Sequence, residues 1–210
     1  MSILDFAKGN EIFQKVKFKQ NEKVYHKLIQ DGQSPKALFI GCSDSRVLPE
    51  SIVTAKPGDL FIVRNIGNFV PPFKPSSEYH ATAAAIEYAI NHLQIEHIIV
   101  CGHSHCGACA ALYQDLDQQK FAHTRKWLEL GFEAKNKAIK IDGGKPETTE
   151  KVSLIFQLQH LMTYPFVKQR LEEGKLYIHA WYYKLESGEI QFYDEQQKRF
   201  IPLNEENICL

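Results

Sequence analysis

The chain has 210 residues, 44% of them apolar, long enough and apolar enough for one domain with a substantial core. Lysine plus arginine balances aspartate plus glutamate at 25 each, so no overall field would hold a polyanion, and nucleic acid is excluded as an expected partner. Acidic or basic side chains break the apolar runs of residues 1–10, so neither a signal peptide nor a membrane span is expected there. Five cysteines, an odd number in a chain too large to need staples, argue for free thiols in a reducing, cytoplasmic setting.

Residues 1–30 scatter Phe6, Ile12, Phe13, Val16, Val24, Leu28 and Ile29 among charges, the pattern of an amphipathic helical arm suited to packing on a partner subunit. The apolar run at 36–40 reads as a buried strand that Gly41 ends. Pro57-Gly58-Asp59 is a turn into a second strand at 60–63, and Asn65, Gly67, Asn68 and Pro71-Pro72 mark the loop that follows. Alanine-rich 78–93 reads as a helix, and 97–101 as a third strand that Gly102 ends. Cys106-Gly107-Ala108-Cys109 opens a further helix; 120–140 and 147–164 continue the helical pattern, the latter stopped by Pro165. Residues 176–183 and 190–193 pair as a closing hairpin. The alternation predicts a single α/β domain over 1–210: three layers, a mainly parallel central sheet flanked by helices, and a C-terminal hairpin or edge strand.

Chemistry concentrates after two strands. Cys42-Ser43-Asp44-Ser45-Arg46 and His103-Ser104-His105-Cys106 follow apolar runs at equivalent places, where open α/β sheets form their ligand crevices. Cys42, His103 and Cys106 make three zinc ligands, the number a catalytic site uses while leaving one place open. A closed structural site would need His105 or Cys109 to join them, and buried cysteines without metal are the plainer alternative. If the chain stays extended past Cys42, then Asp44 and Arg46 share its side, and Arg46 holds the carboxylate ionised. A carboxylate so placed can accept the proton of a zinc-bound hydroxide and aim its lone pair, or swing onto the metal as a further ligand. The bland reading is a surface ion pair worth little. His105 is a candidate proton relay beside the ligands, with a solvated helix-entry histidine as the simpler assignment.

Cys42-Ser43-Asp44-Ser45-Arg46-Val47, Arg64-Asn65-Ile66-Gly67-Asn68, Ala84-Ala85-Ile86-Glu87-Tyr88-Ala89 and Gly102-His103-Ser104-His105-Cys106-Gly107 together resemble the β-class carbonic anhydrases, over about residues 30 to 110. A weaker echo is His179-Ala180-Trp181-Tyr182-Tyr183. The resemblance implies a zinc enzyme, with one ion per subunit, interconverting carbon dioxide and bicarbonate. Cys42, His103 and Cys106 would be its ligands and Asp44 and Arg46 the adjacent dyad. It also implies a pocket of Gln33, Phe61, Ile66, Tyr88 and Gly107, part of it supplied by a neighbouring subunit, and hence a homo-oligomer, a dimer or tetramer. From sequence alone Phe61, Ile66 and Tyr88 read as core.

In some bacterial members a second, inhibitory bicarbonate site uses a tryptophan where this chain has Phe39. Arg64 and Tyr183 are candidates for its other two positions, but the loss of the indole donor argues against such regulation. Two thiolates cancel the charge of Zn²⁺, so activity should rise into mildly alkaline pH. The rival readings are hydrolysis of carbon disulfide or carbonyl sulfide on the same site, and a zinc-binding regulatory protein without turnover.

Overall fold

Strand β1, Ala37–Cys42, is buried along its whole length and is the spine of the fold. The computed structural model describes residues 1–75 and 79–207. Ahead of β1 run helix α1, Ile3–Ile12, a π-helical stretch Phe13–Phe18, and α2, Lys19–Asp31. Ser2 and Asp5 form a reciprocal capping box that starts this arm. None of its residues is buried, and Ile3, Leu4, Phe6, Ile12 and Ile29 are more than half exposed.

After β1 come the short helix α3, Pro49–Ile52, strand β2, Leu60–Asn65, a 3-10 turn at Ile66–Asn68, and helix α4, Ala81–Asn91. Of the helix predicted over 78–93, residue 78 lies outside the described residues. Strand β3, His97–His103, leads into α5, Gly107–Ala111. Then follow α6, Ala122–Leu128, α7, Phe132–Asp142, α8, Pro146–Leu161, and α9, Pro165–Glu172. Strands β4, Tyr177–Tyr183, β5, Ile190–Asp194, and β6, Arg199–Pro202, complete the chain.

The sheet order is β2-β1-β3-β4-β5-β6, with β2, β1, β3 and β4 parallel and β5 and β6 added antiparallel. This is the mainly parallel α/β sheet expected, with one strand more at its C-terminal edge than the predicted hairpin. β1 and β3 pair from Ala37 with His97 to Gly41 with Cys101, so their C-terminal ends lie side by side. The main core packs Leu38, Ile40, Ile98 and Val100 of one sheet face under Ile86 and Ile90 of α4, Leu154 and Leu161 of α8, and Val167 of α9. Ala37, Phe39, Ile99 and Cys101 form a separate cluster on the other face, with Trp181 and Tyr183 against it.

Two boundaries differ from expectation for physical reasons. Gly41 and Gly102 do not end their strands, because ladder pairing continues through them; Cys42 and His103 are the last strand residues. Pro165 does not stop α8, which ends at Leu161; it opens α9 at the first turn, where a missing N–H costs nothing.

Candidate metal centre

The ladder delivers two candidate ligands and a turn delivers the third. Cys42 pairs with Asn65 on one side, and His103 with Tyr183 on the far side of β3. Ser104 and His105 then reverse the chain, His105 with a left-handed φ of 58°, so that Cys106 at the N-cap of α5 returns toward Cys42. One donor atom from each of Cys42, His103 and Cys106 lies within 4.8 Å of the others, and all three residues are buried.

The donor set fits zinc. His103 Nδ1 is 2.9 Å from the Ser104 carbonyl oxygen, which fixes its proton there and leaves Nε2 with a lone pair. That Nε2 is buried with no hydrogen-bond partner among the described residues. The Cys42 thiol is pushed up to about 12 by its contact with the Cys106 thiol and by burial, and Cys106 to about 12 by the Cys109 thiol and burial. Such thiols ionise only against a cation, and a buried lone pair aimed at two of them calls for one. Cys101 and Cys109 are also free; Cys209 lies outside the described residues.

Asp44 lies beside this group rather than in it. One of its oxygens is 4.0 Å from His103 Nε2. The chain does not stay extended past Cys42: Asp44 begins a turn, its carbonyl accepting from Val47 N–H at 3.0 Å and its side chain from Arg46 N–H at 3.0 Å. That turn folds Arg46 back, so Nε and Nη2 donate to the two Asp44 oxygens at 2.9 and 2.7 Å. The dyad of the sequence reading forms, by a turn instead of alternation along a strand. The Arg46 fork holds the Asp44 carboxyl well below the usual carboxylate range, leaving it an acceptor at any working pH.

Three residues that sequence reasoning missed, or placed elsewhere, fix this site. Arg64, a candidate for an inhibitory anion site, donates from Nε to the Cys42 carbonyl at 3.0 Å and from Nη2 to the Asp44 carbonyl at 2.7 Å. Glu150 of α8 is buried, accepts from Cys106 N–H at 2.9 Å and from the Tyr182 hydroxyl at 2.8 Å, and burial raises its pKa. Its signal was position: it shares a helical stripe with the buried Ser153, Leu154, Gln157 and Leu161. Glu186 accepts from Ser104 Oγ at 2.8 Å and meets His105 Nε2, while the His105 carbonyl accepts from Arg46 Nη2 at 3.1 Å. The His105 side chain is exposed and meets that carboxylate at the surface.

The expected pocket residues divide. Ile66 follows the Asn65 that pairs with Cys42, and Gly107 follows Cys106, so both border the site. Gly67 requires its left-handed φ of 77°, and a Cβ there would meet Ala108 at 2.8 Å, which sets how closely this turn packs on α5. Phe61 and Tyr88 pack together with ring centroids 5.9 Å apart, but Phe61 pairs with Leu38, four positions before Cys42, about 13 Å along the strand. Gln33 is exposed ahead of β1. Within one chain, then, Gln33, Phe61 and Tyr88 do not join the metal group. Phe39 is fully buried, edge-on to Trp181 at 6.5 Å.

A family model described as carbonic anhydrase matches residues 37–190. A carbonic anhydrase of Pseudomonas aeruginosa is 36% identical over 205 residues, covering 96% of this chain and 92% of its own length. A carbonic anhydrase of Helicobacter pylori is 34% identical, covering 92% and 91%. Among solved structures, the β-carbonic anhydrase CcaA superposes with a TM-score of 0.90 at 34% identity, over 96% of this chain and 99% of that one. A tetrameric β-carbonic anhydrase of Sordaria macrospora gives 0.76 at 30%, over 90% and 96%. With the fold, the Cys-His-Cys group and these matches in agreement, the chain belongs to the carbonic anhydrase family, in its β class.

Proposed function

We propose that Cys42, His103 and Cys106 hold the catalytic zinc of this carbon dioxide hydratase, with Asp44 as the oriented acceptor at its side and Arg46 as the anchor of Asp44. When bound, zinc supplies a Lewis acid that makes water acidic enough to serve as a nucleophile. Asp44, ionised and held by Arg46, accepts the hydrogen of the attacking water and thereby turns its lone pair toward the carbon of carbon dioxide. Arg64 keeps Asp44 in place by holding the carbonyls on both sides of Ser43. Ile66 and Gly107 give the neutral, linear substrate an apolar, unobstructed approach, since a Cβ at Gly107 would touch nothing within 4 Å.

The observation that carries this reading is the unpartnered His103 Nε2, buried between two thiols and 4.0 Å from an arginine-held carboxylate. Metal analysis and stopped-flow hydration of wild type and Cys106→Ser test it. Wild type should hold stoichiometric zinc and turn over; the variant should lose both. A variant that kept zinc and full turnover would sink the assignment. The relatives are named for carbonic anhydrase activity, so hydrolysis of carbon disulfide is not favoured.

We assign Gln33, Phe61 and Tyr88 to the pocket of a neighbouring subunit in a dimer or tetramer. Support comes from their distance to the Cys42 site, from the arm with no buried residue, and from the tetrameric Sordaria relative. None of the described helices is long and apolar enough to cross a membrane. We place the enzyme in the cytoplasm, a reducing compartment in which Cys42, Cys101, Cys106 and Cys109 stay free thiols. A relative from Coccomyxa, 27% identical, was solved with acetazolamide, and we expect the same compound to inhibit here.

A further inference from the structure

Nothing in this mechanism uses Cys109, although it stands against a ligand. Cys106-Gly107-Ala108-Cys109 is a Cys-x-x-Cys sequence whose two cysteines are buried in one cluster, with Cys109 outside the three-donor group. Cys106 thus has two cysteine neighbours: Cys42, a co-ligand whose sulfur lies within 4.8 Å of its own, and Cys109, three residues on in the first turn of α5. All three lie in one buried cluster with Phe69, Ala108 and Leu112.

We propose that Cys106 and Cys109 are a reversible oxidation site through which a peroxide removes the zinc ligand and switches the enzyme off. The inference rests on Cys106 being a ligand, as assigned above. Hydrogen peroxide, a small neutral molecule of about the substrate's size, reaches the Cys106 thiolate by the substrate's route. Sulfur attacks one peroxide oxygen, the O–O bond breaks, and Cys106 becomes a sulfenic acid with loss of hydroxide. The Cys109 thiol then attacks that sulfur, a disulfide forms, and the sulfenic oxygen leaves as water. Two thiols lose two electrons in all, and one peroxide becomes two waters. A disulfide sulfur is not a thiolate donor, so the metal leaves; a dithiol reductant returns both thiols and the site.

The backbone favours this pair over Cys42 with Cys106. Residues three apart at the start of a helix share a face with Cβ atoms about 5–6 Å apart, against the roughly 3.5–4.5 Å of a disulfide, so the first turn of α5 must tighten. It has room to do so. Gly107 is exposed and its surroundings are open, and α5 is only five residues long. Cys42, by contrast, is locked in the ladder by its pairing with Asn65, and Cys101 is fully buried with its thiol donating to the Gly102 carbonyl.

The test treats the zinc-loaded enzyme with hydrogen peroxide, follows released zinc with a chromophoric chelator, maps crosslinked peptides, and then adds dithiothreitol and zinc. Wild type should release its metal, yield a Cys106–Cys109 peptide and rebind nearly all the zinc after reduction. Cys109→Ser, with Cys109→Ala as a second variant should the first misfold, should lose most of that recovery as Cys106 proceeds to sulfinic acid. Equal recovery in wild type and both variants, or a crosslink only between Cys42 and Cys106, overturns the proposal. Zinc content before oxidation tests the ligand assignment separately: untreated wild type and both Cys109 variants should hold stoichiometric metal, and Cys106→Ser should not.

Discussion

Replacing Glu150 by alanine tests whether a residue far from the metal in sequence holds one of its ligands in place. The carboxylate satisfies two groups at once, Cys106 N–H at 2.9 Å and the Tyr182 hydroxyl at 2.8 Å, both on buried residues. Alanine leaves each donor unpaired at about 1–3 kcal/mol apiece, so the loss should total about 2–6 kcal/mol. That is a large part of the roughly 5–15 kcal/mol by which domains are stable. Glutamine keeps the shape: its carbonyl accepts from Cys106 N–H and its amide donates to the Tyr182 oxygen, at a cost of about 1 kcal/mol or less. Urea unfolding at one fixed protein concentration, with zinc affinity read by chelator competition, separates the two variants. Glu150→Ala should also weaken zinc binding by about 10- to 100-fold, as loss of an outer partner does. Stability within about 1 kcal/mol of wild type, together with unchanged zinc affinity, would refute the argument.

Asp44→Asn should keep its zinc and lose about 100-fold in kcat, because the amide cannot act as an ionised acceptor; hydration by stopped flow beside metal analysis reads both, and a loss of only a few-fold would remove the orienting role. His179 is pushed down to about 4 by burial and by His97, whose Nδ1 is 3.1 Å from its Nε2. As a base with a depressed pKa, it is neutral in the native state. Its contribution is whole above its ordinary value of 6.5 and is lost as pH falls toward 4, with about 2 kcal/mol gone at pH 5. Urea unfolding of wild type and His179→Gln at pH 8 and pH 5 should show the gap closing, and parallel profiles would refute it. Gly67→Ala should cost about 1–3 kcal/mol by thermal or urea unfolding, from strain at positive φ and contact with Ala108. An unchanged midpoint would show that the turn can shift freely.

The three candidate metal ligands were legible because the two segments that carry them each follow an apolar run, and His103 and Cys106 share one turn. The Asp44–Arg46 pair was legible as a pair but not in its geometry. Aspartate is a turn former that bonds the backbone two residues on, and that local preference overrode the alternation expected of an extended chain. Arg64 and Glu150 were not legible as site residues, since they reach Cys42 and Cys106 across 22 and 44 residues, and only the sheet order and the packing of α8 bring them there. The third C-terminal strand, Arg199–Pro202, is four residues long and ends in proline, too short for a periodic signal.

The parallel pairing of β1 with β3 also orders events during synthesis. Ala37 meets His97 across a sequence separation of 60 residues, and such non-local contacts form slowly. When residue 106 has been made, the glutamate that anchors the Cys106 amide is still 44 residues away. Metal capture is then a late step of biogenesis: a nascent chain halted before α8 lacks both Tyr183, the ladder partner of His103, and Glu150, the anchor of Cys106, so of the three donors only Cys42 has its ladder partner in place.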